Sequence, residues 1–379
     1  MQKEEELKLT EEVLQLKEAN SAFLGAGVTQ QGYDHYRGEK RFEDERQKLF
    51  RRLPHAVAHS AALAGSHAFL RAEYAGVPLL LTRDDRGQAQ AFVNACRHRG
   101  MELVAEEAGC ARRFTCPYHA WTYGSDGELL AAPHFEQGFG ELDKAELGLH
   151  RLACVERFGF IWVTIDASDE IQFDDYFAPI AADFEALNIA ELGVAEETVL
   201  NLKANWKLLV EGGLEAYHFK VAHKNTIGPF FENNLSTYQV LGDHLRSVLP
   251  RTSLADSDTS SPDFRLLDHA NLLYLMFPNT QFLVQQDHLI WIQANPLATD
   301  CTELRLRTLA PAESLGQDEL REYWKKNHAI TCATLREDFA IAEGIQRSVQ
   351  AGLDQSMIFG RFESGLGAFN TTVSRRLAS

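Results

Sequence analysis

Residues 94–121, NACRHRGMELVAEEAGCARRFTCPYHAW, constrain this chain more than any other stretch. Cys96 and His98 have one residue between them, seventeen residues follow, and Cys116 and His119 have two between them. Two thiols and two imidazoles in short paired steps make a metal site. Each pair puts its ligands on one tight loop, and the intervening ribbon brings the loops face to face. Two readings compete. A structural zinc also accepts two Cys and two His, but zinc fingers group Cys with Cys and His with His. Here each loop carries one of each. That suits a two-iron cluster in which one iron takes both thiolates and the other both imidazoles, a replacement that raises the potential.

The flanking residues decide between them. Asn94-Ala95-Cys96-Arg97-His98-Arg99-Gly100 resembles the first cluster loop of a Rieske domain. Cys116-Pro117-Tyr118-His119-Ala120-Trp121-Thr122-Tyr123, with Ser125-Asp126-Gly127 after it, resembles the second loop and its turn. The resemblance implies a [2Fe–2S] cluster held by Cys96, His98, Cys116 and His119. Ala120 stands where the family usually has Gly, a departure expected to tilt the loop.

At 379 residues the chain is too long for one such module of about 100–150 residues, and its length predicts two domains. A formal charge of −17 argues against nucleic acid and anionic membranes as partners. A solvated acidic surface accounts for that figure, which also suits docking of a basic redox partner. Besides Cys96 and Cys116, the chain has Cys110, Cys154, Cys301 and Cys332 at scattered spacings, which read as free thiols in a reducing compartment. The N-terminus reads as a charged helix and not a signal peptide. Apolar runs such as 77–81 are too short to cross a bilayer. The expectation is a soluble, cytoplasmic protein.

The predicted class is α+β. Residues 1–45 read as a helical arm, broken by glycines at 25–32 and leading to a charged helix at 41–52, that packs on the C-terminal part of the chain or on a neighbouring subunit. Residues 46–165 read as an antiparallel β Rieske domain. A hairpin of 77–82 and 89–94 delivers the chain into Cys96, 113–115 delivers Cys116, and 158–165 is a buried closing strand. Residues 166–379 read as a second domain with a central antiparallel sheet flanked by helices. Its strands are 199–202, 238–248, 272–277, 281–285, 289–294 and 303–309, several of them alternating as a half-buried sheet should. Its helices are 205–218 and 318–350, the latter broken near Asn327, and 253–262 reads as a mobile loop.

Residues 205–223, NWKLLVEGGLEAYHFKVAH, are the other informative stretch. At helical period Leu208, Glu211, Glu215 and His218 share one face. Such a polar stripe is expensive on a helix that also carries Trp206, Leu209 and Val210, unless it binds something. Gly212 and Gly213 each cost about 1 kcal/mol relative to Ala in mid-helix, so another backbone or a substrate comes close there. His218 and His223 are five apart, and can share a metal only if the helix ends or bulges between them. The plainer reading is one core and one surface histidine.

The surroundings are similar to the mononuclear-iron motif of Rieske non-haem iron oxygenase alpha subunits, the aromatic-ring-hydroxylating dioxygenase family. The resemblance implies that His218, His223 and a later aspartate bind Fe(II). It implies that Glu215, where many members have Asp, bridges to the Rieske histidine of the adjacent subunit. Gly212 replaces the family's common Asn and removes a polar group near the iron. Two imidazoles and one carboxylate on a face leave the other positions of Fe(II) open for oxygen. Glu337, Asp338 and Glu343 are the candidates for the third ligand. Thr331, Leu335, Asp338, Ala342, Ile345 and Val349 form a helical stripe that Asp338 alone breaks with a charge. Glu337 falls on a more exposed stripe, and Asp338 matches the family's Glu-Asp pattern. A solvated acidic helix face is the competing reading.

The resemblance implies an oxygenase in which a reductase or ferredoxin reduces the cluster. Electrons then cross between subunits of a homotrimer, with or without a small beta subunit. O2 is used to hydroxylate, dihydroxylate or oxidatively demethylate a small organic substrate. Family frequency favours an aromatic substrate, as in aromatic hydrocarbon catabolism. Phe219, Phe230, Phe231, Phe264, Phe282 and Trp291 could line a slot for a planar ring or cage a quaternary ammonium group, although most such residues are ordinary core. Two rivals are an electron-transfer Rieske protein with a non-catalytic binding domain and a zinc-stapled binding protein.

Overall fold

The computed structural model describes residues 3–166 and 173–378. The chain forms two compact units, one of residues 50–176 and one that joins 1–49 to 177–379. Both are built on antiparallel sheets, in line with the α+β expectation.

In the first unit a seven-stranded sheet runs in the order His55–His59, Phe160–Thr164, Arg151–Arg157, Ala89–Val93, Val77–Arg83, Ala68–Tyr74 and Ala108–Cys110. The predicted hairpin is present, with Leu79 opposite Val93 and Leu81 opposite Ala91. Gly87, at φ +75°, closes it in a conformation that glycine adopts without strain. A second sheet of Arg113–Thr115, Thr122–Gly124 and Leu129–Ala131 carries the other loop. Phe69, Phe92, Phe114, Trp121 and Tyr123 are buried beneath the two loops with Cys96 and Cys116.

In the second unit the sheet order is Leu192–Leu202, Cys301–Pro311, Leu289–Ala298, Thr280–Val284, Ala270–Met276, His244–Pro250 and Thr237–Leu241. The expected strand 238–248 is a hairpin turned at Gly242, φ +66°. The strands His244–Pro250 and Ala270–Met276 are buried throughout rather than alternately. The reason is that both faces are covered. One face holds Arg246 and Tyr274 against Asp183 of the helix Ala181–Ala186. On the other face Leu249, Asn271 and Leu273 look across a cavity to Asp318–Val349, a helix that is anchored farther along the sheet, where His328 bonds Thr308 at 2.9 Å and Thr198 at 2.8 Å. That helix runs unbroken through Asn327. Asn327 donates to the Tyr323 carbonyl one turn back, which lets a polar residue sit inside the helix. The stretch 253–262 begins with the helical turn Thr252–Asp256, and Leu254 is buried.

The N-terminal segment is more than helix. After Lys3–Glu18 the glycine-containing stretch makes a strand, Thr29–Gly32, paired with Ser356–Phe359. The helix Glu39–Glu45 then ends in a buried ion pair. Lys207 Nζ lies 2.6 and 2.7 Å from the two Glu45 oxygens, with the side chains 1% and 0% exposed. Trp206 Nε1 donates to the same carboxylate at 2.9 Å. Removing one member of such a pair strands the other charge. Glu45→Ala is therefore expected to cost about 3–5 kcal/mol. The double variant Glu45→Leu, Lys207→Met should recover part of that loss, because Trp206 Nε1 still lacks its acceptor, as read by urea denaturation of the three proteins.

Candidate active site

The two cluster loops have the same backbone frame. In the first, Cys96 N donates to the Met101 carbonyl and Gly100 N to the Cys96 carbonyl, both at 2.8 Å. In the second, Cys116 N donates to the Trp121 carbonyl at 2.8 Å and Ala120 N to the Cys116 carbonyl at 3.0 Å. Gly100 has φ +72° and Ala120 has φ +57°. The loop thus keeps its bonds with Ala120 in place of glycine, and alanine takes the left-handed conformation at a cost.

Cys96 and Cys116 are 3% and 2% exposed, His98 is half-buried and His119 is exposed. The two imidazole rings meet edge to face at 4.6 Å. His98 Nδ1 is buried and has no hydrogen-bond partner among the described residues. Leaving such a nitrogen unpaired costs about 1–3 kcal/mol, which a metal bond removes. Burial pushes the Cys96 thiol pKa up, while hydrogen bonding from Tyr123 pulls it down. Tyr123 Oη lies 3.3 Å from Cys96 Sγ and also accepts from Arg97 N at 3.0 Å. A paired thiol and imidazole set in this arrangement fits a cluster with sulfur inside and nitrogen outside.

The second site departs from the expected helix. Trp206–Glu211 is helical, and the chain then turns at Gly212 and Gly213. Glu211 consequently does not share a face with Glu215 and His218. It is buried against Tyr36 Oη at 2.8 Å and Asn370 Nδ2 at 2.7 Å. The close neighbour of Gly213 is Gln281: a Cβ there would lie 2.5 Å from Gln281 Nε2, which caps the helix at the Val210 carbonyl. The predicted helix ends at Glu211, before both histidines, and not between them; His218 and His223 instead cap the two ends of a separate single turn, Phe219–Ala222.

His218 Nε2, His223 Nε2 and Asp338 Oδ1 converge. The two nitrogens are 3.2 Å apart, and Asp338 Oδ1 is 3.3 Å from the first and 3.0 Å from the second. Around an ion with bonds of about 2.1 Å, right-angled neighbours stand roughly 3 Å apart. The far nitrogens are fixed by carboxylates. His218 Nδ1 donates to Glu215 Oε1, and His223 Nδ1 donates to Glu337 Oε2 at 2.8 Å. With the protons held there, both Nε2 lone pairs and a carboxylate oxygen face one point. Burial opposes charge on His218, but hydrogen bonds to Asp338 and Glu215 outweigh it and hold the pKa at about 10. Burial likewise opposes charge on Asp338, yet bonds from both histidines lower its pKa. The site takes up a proton where a cation would sit, so its donors fit a divalent metal.

The sequence reading set Glu337 aside as exposed. Its carboxylate instead turns back to His223, and Thr226 Oγ1 donates to the same oxygen at 2.7 Å. Glu343 bonds Lys203 N at 2.9 Å, away from the triad.

A cavity of about 500 Å³ opens on the triad, a size ordinary for small-molecule sites. One wall is the sheet face carrying Leu249, Leu273 and Leu283, and another is the helix face of Thr331, Thr334 and Asp338. Phe219, Phe230 and Phe231 line it, as does Phe339, which the sequence reading missed. Phe282 and Trp291 do not. Strand alternation turns them to the opposite face, where Phe282 meets Phe184 at 5.5 Å and Trp291 lies under Arg307. Phe264 stacks on His269. Thr334 Oγ1 is buried without a partner among the described residues, one helical turn before Asp338.

Two outcomes follow from this geometry. Glu337→Gln should weaken ferrous-ion affinity about 10–100-fold, measured by chelator competition, with the cluster absorbance unchanged. Ala120→Gly should raise the thermal stability of the first unit by up to about 1 kcal/mol, measured calorimetrically.

The description "Ring hydroxylating alpha subunit (catalytic domain)" matches residues 189–379, and "Rieske [2Fe-2S] domain" matches residues 54–155. The anthranilate 1,2-dioxygenase large subunit of Acinetobacter baylyi is 28% identical over 260 residues, 67% of this chain and 55% of its own length. The glycine betaine monooxygenase oxygenase subunit of Pseudomonas aeruginosa is 32% identical over 197 residues, 52% of this chain and 45% of its own length. The chain spans about half the length of the curated relatives it matches. A quaternary ammonium Rieske monooxygenase, whose structure bears on carnitine oxidation and inter-subunit electron transfer, superposes with a TM-score of 0.77 at 24% identity. That match covers 92% of this chain and 96% of the other and shows a shared fold. The chain thus belongs to the ring-hydroxylating alpha-subunit family, with a Rieske [2Fe–2S] domain and a catalytic domain of the kind that binds mononuclear iron.

Proposed function

We propose that this chain is the catalytic subunit of a Rieske-type oxygenase acting on a small organic substrate. The observation that carries the reading is the convergence of His218, His223 and Asp338, within 3.3 Å of one another, on the wall of the cavity. We assign these three as the mononuclear iron ligands and Cys96, His98, Cys116 and His119 as the cluster ligands. Domain bounds of 46–165 for the Rieske part and 166–379 for the catalytic part, with 1–45 as an arm, go with this assignment. When bound, the cluster supplies electrons and the ferrous ion supplies oxygen activation.

The chain's own residues set the conditions. Glu215 and Glu337 hold the protons of both histidines on Nδ1 and point Nε2 inward. Asp338 adds one negative charge and leaves the cavity side open. Phe219, Phe231 and Phe339 give apolar faces against which a ring or an N-methyl group can lie. Both kinds of substrate occur among the named relatives, anthranilate on one side and glycine betaine on the other.

Glu215 also takes the role of bridge to the cluster histidine of a neighbouring subunit in a homotrimer. The exposure of His119 supports a cluster edge that another chain can reach. Inter-subunit electron transfer in the quaternary ammonium monooxygenase supports the same route. A reductase or ferredoxin serves as donor, and the proposed location is the cytoplasm. No helix among the described residues is long and apolar enough to cross a membrane.

The test is reductant-dependent oxygen uptake across aromatic acids and N-methylated compounds, with iron counted in parallel. About three irons per chain are expected, two in the cluster and one at the triad. Asp338→Ala should fall to about two and lose about 10²-fold or more in uptake. Glu215→Ala, supplied with excess ferrous ion because His218 loses its support, should keep the cluster irons and lose coupled turnover. A wild-type protein with only the cluster irons and no uptake on any compound defeats the oxygenase reading.

A further inference from the structure

The cavity beside the triad contains a cation of its own. Arg251 directly follows the strand His244–Pro250 and lines the cavity with Asn271 of the neighbouring strand. Its Nη2 donates to Asn271 Oδ1 at 2.9 Å, and its guanidinium lies 6.0 Å from the Phe231 ring centre. Among the described residues no carboxylate reaches it within ion-pair distance; Asp287 and Asp268 act on it only at longer range. Burial pulls its pKa below the ordinary arginine value. Arg246 on the same strand is different: it faces the opposite side of the sheet and pairs with Asp183 at 2.7 Å and with Glu5.

A half-buried guanidinium stays charged at neutral pH and offers five N–H donors in a planar fork. Asn271 takes one of them and fixes the plane. No carboxylate among the described residues takes up the others, and Asp338, the acid that lines the same cavity, is engaged with His218 and His223. A ligand carboxylate fits that fork with two parallel bonds.

We propose that Arg251, oriented by Asn271, anchors a carboxylate of the substrate, so that this chain acts on an organic acid whose other end reaches the triad. The inference rests on reading this cavity as the substrate site. A compound whose only charge is a quaternary ammonium is repelled by Arg251. An uncharged hydrocarbon leaves the guanidinium desolvated and unpaired, which costs free energy. Aromatic carboxylates and carboxylate-bearing betaines share the chemistry required.

Binding, read by calorimetry on anaerobic iron-loaded protein, tests this without turnover. The probes are benzoate against benzamide and γ-butyrobetaine against choline. At least one carboxylate should bind more than about tenfold tighter than its counterpart, and which pair does so tells an aromatic acid from a betaine. Arg251→Met should cost that carboxylate about 10–100-fold with iron content and cluster absorbance unchanged. Arg251→Lys, which keeps the charge and loses the fork, should fall between. The proposal is overturned if benzamide and choline both bind as tightly as their carboxylate counterparts, if neither carboxylate binds, or if Arg251→Met leaves carboxylate affinity intact. Oxygen uptake run alongside separates the two readings. Selective binding without uptake on any compound leaves the anchor and removes the oxygenase. Uptake only on compounds that lack a carboxylate does the reverse.

Discussion

Two imidazoles cannot present their lone pairs to one point, with a carboxylate oxygen 3.0–3.3 Å away, unless something holds their protons elsewhere. Glu215 and Glu337 do that from behind. The rest of the catalytic unit serves this requirement. A one-turn helix spaces His218 from His223, and a long helix brings Asp338 and Glu337 in adjacent positions, one toward each side of His223. Three carboxylates around two histidines make a site that is negative before any metal arrives. The elevated His218 pKa of about 10 states the same fact in protons.

Two periodicities build the cavity. On the sheet, alternation sends Asn271, Leu273 and Leu283 to the cavity and Leu272, Tyr274 and Phe282 to the far face. On the long helix, steps of three and four bring Asn327, Thr331, Thr334 and Asp338 to one side. The apolar floor and polar roof come from those two rules acting on ordinary core sequence. The cluster unit uses a third device, two hairpin tips with matched hydrogen bonds, in which Gly100 and Ala120 occupy equivalent left-handed positions.

Residues with an uncommon local pattern were legible in the chain. The Cys-x-His and Cys-x-x-His steps are short, and short steps fix geometry without knowledge of the fold. Asp338 was legible because a single charge interrupts an otherwise apolar or small stripe. What could not be read was the partner of each polar side chain. Glu211 looked like a member of the His218 face because a continuous helix was assumed, whereas Gly212 and Gly213 end it and send Glu211 to Tyr36. Glu337 looked solvated because one helical turn exposes it, while a loop more than a hundred residues earlier brings His223 to meet it. Phe282 and Trp291 are core for a reason that only strand register supplies, since a shift of one residue would exchange them with the cavity wall.

The acid excess of this chain sharpens the meaning of Arg251. Acids outnumber Lys and Arg by 54 to 37, so an arginine that leaves bulk water has carboxylates available. Arg246 finds Asp183, Arg307 finds Glu197 at 2.8 Å, and Arg83 finds Glu156 at 2.8 Å. Each of these pairs stiffens the scaffold and leaves no charge for a ligand. Arg251 is paired with an amide, which orients the guanidinium without neutralising it. An amide partner gives up the Coulomb energy a carboxylate would return, and in a half-buried place that loss is not small. A fold under selection for stability alone has no reason to keep it. A site that must receive an anion does, because the energy withheld in the empty cavity is returned when the acid arrives.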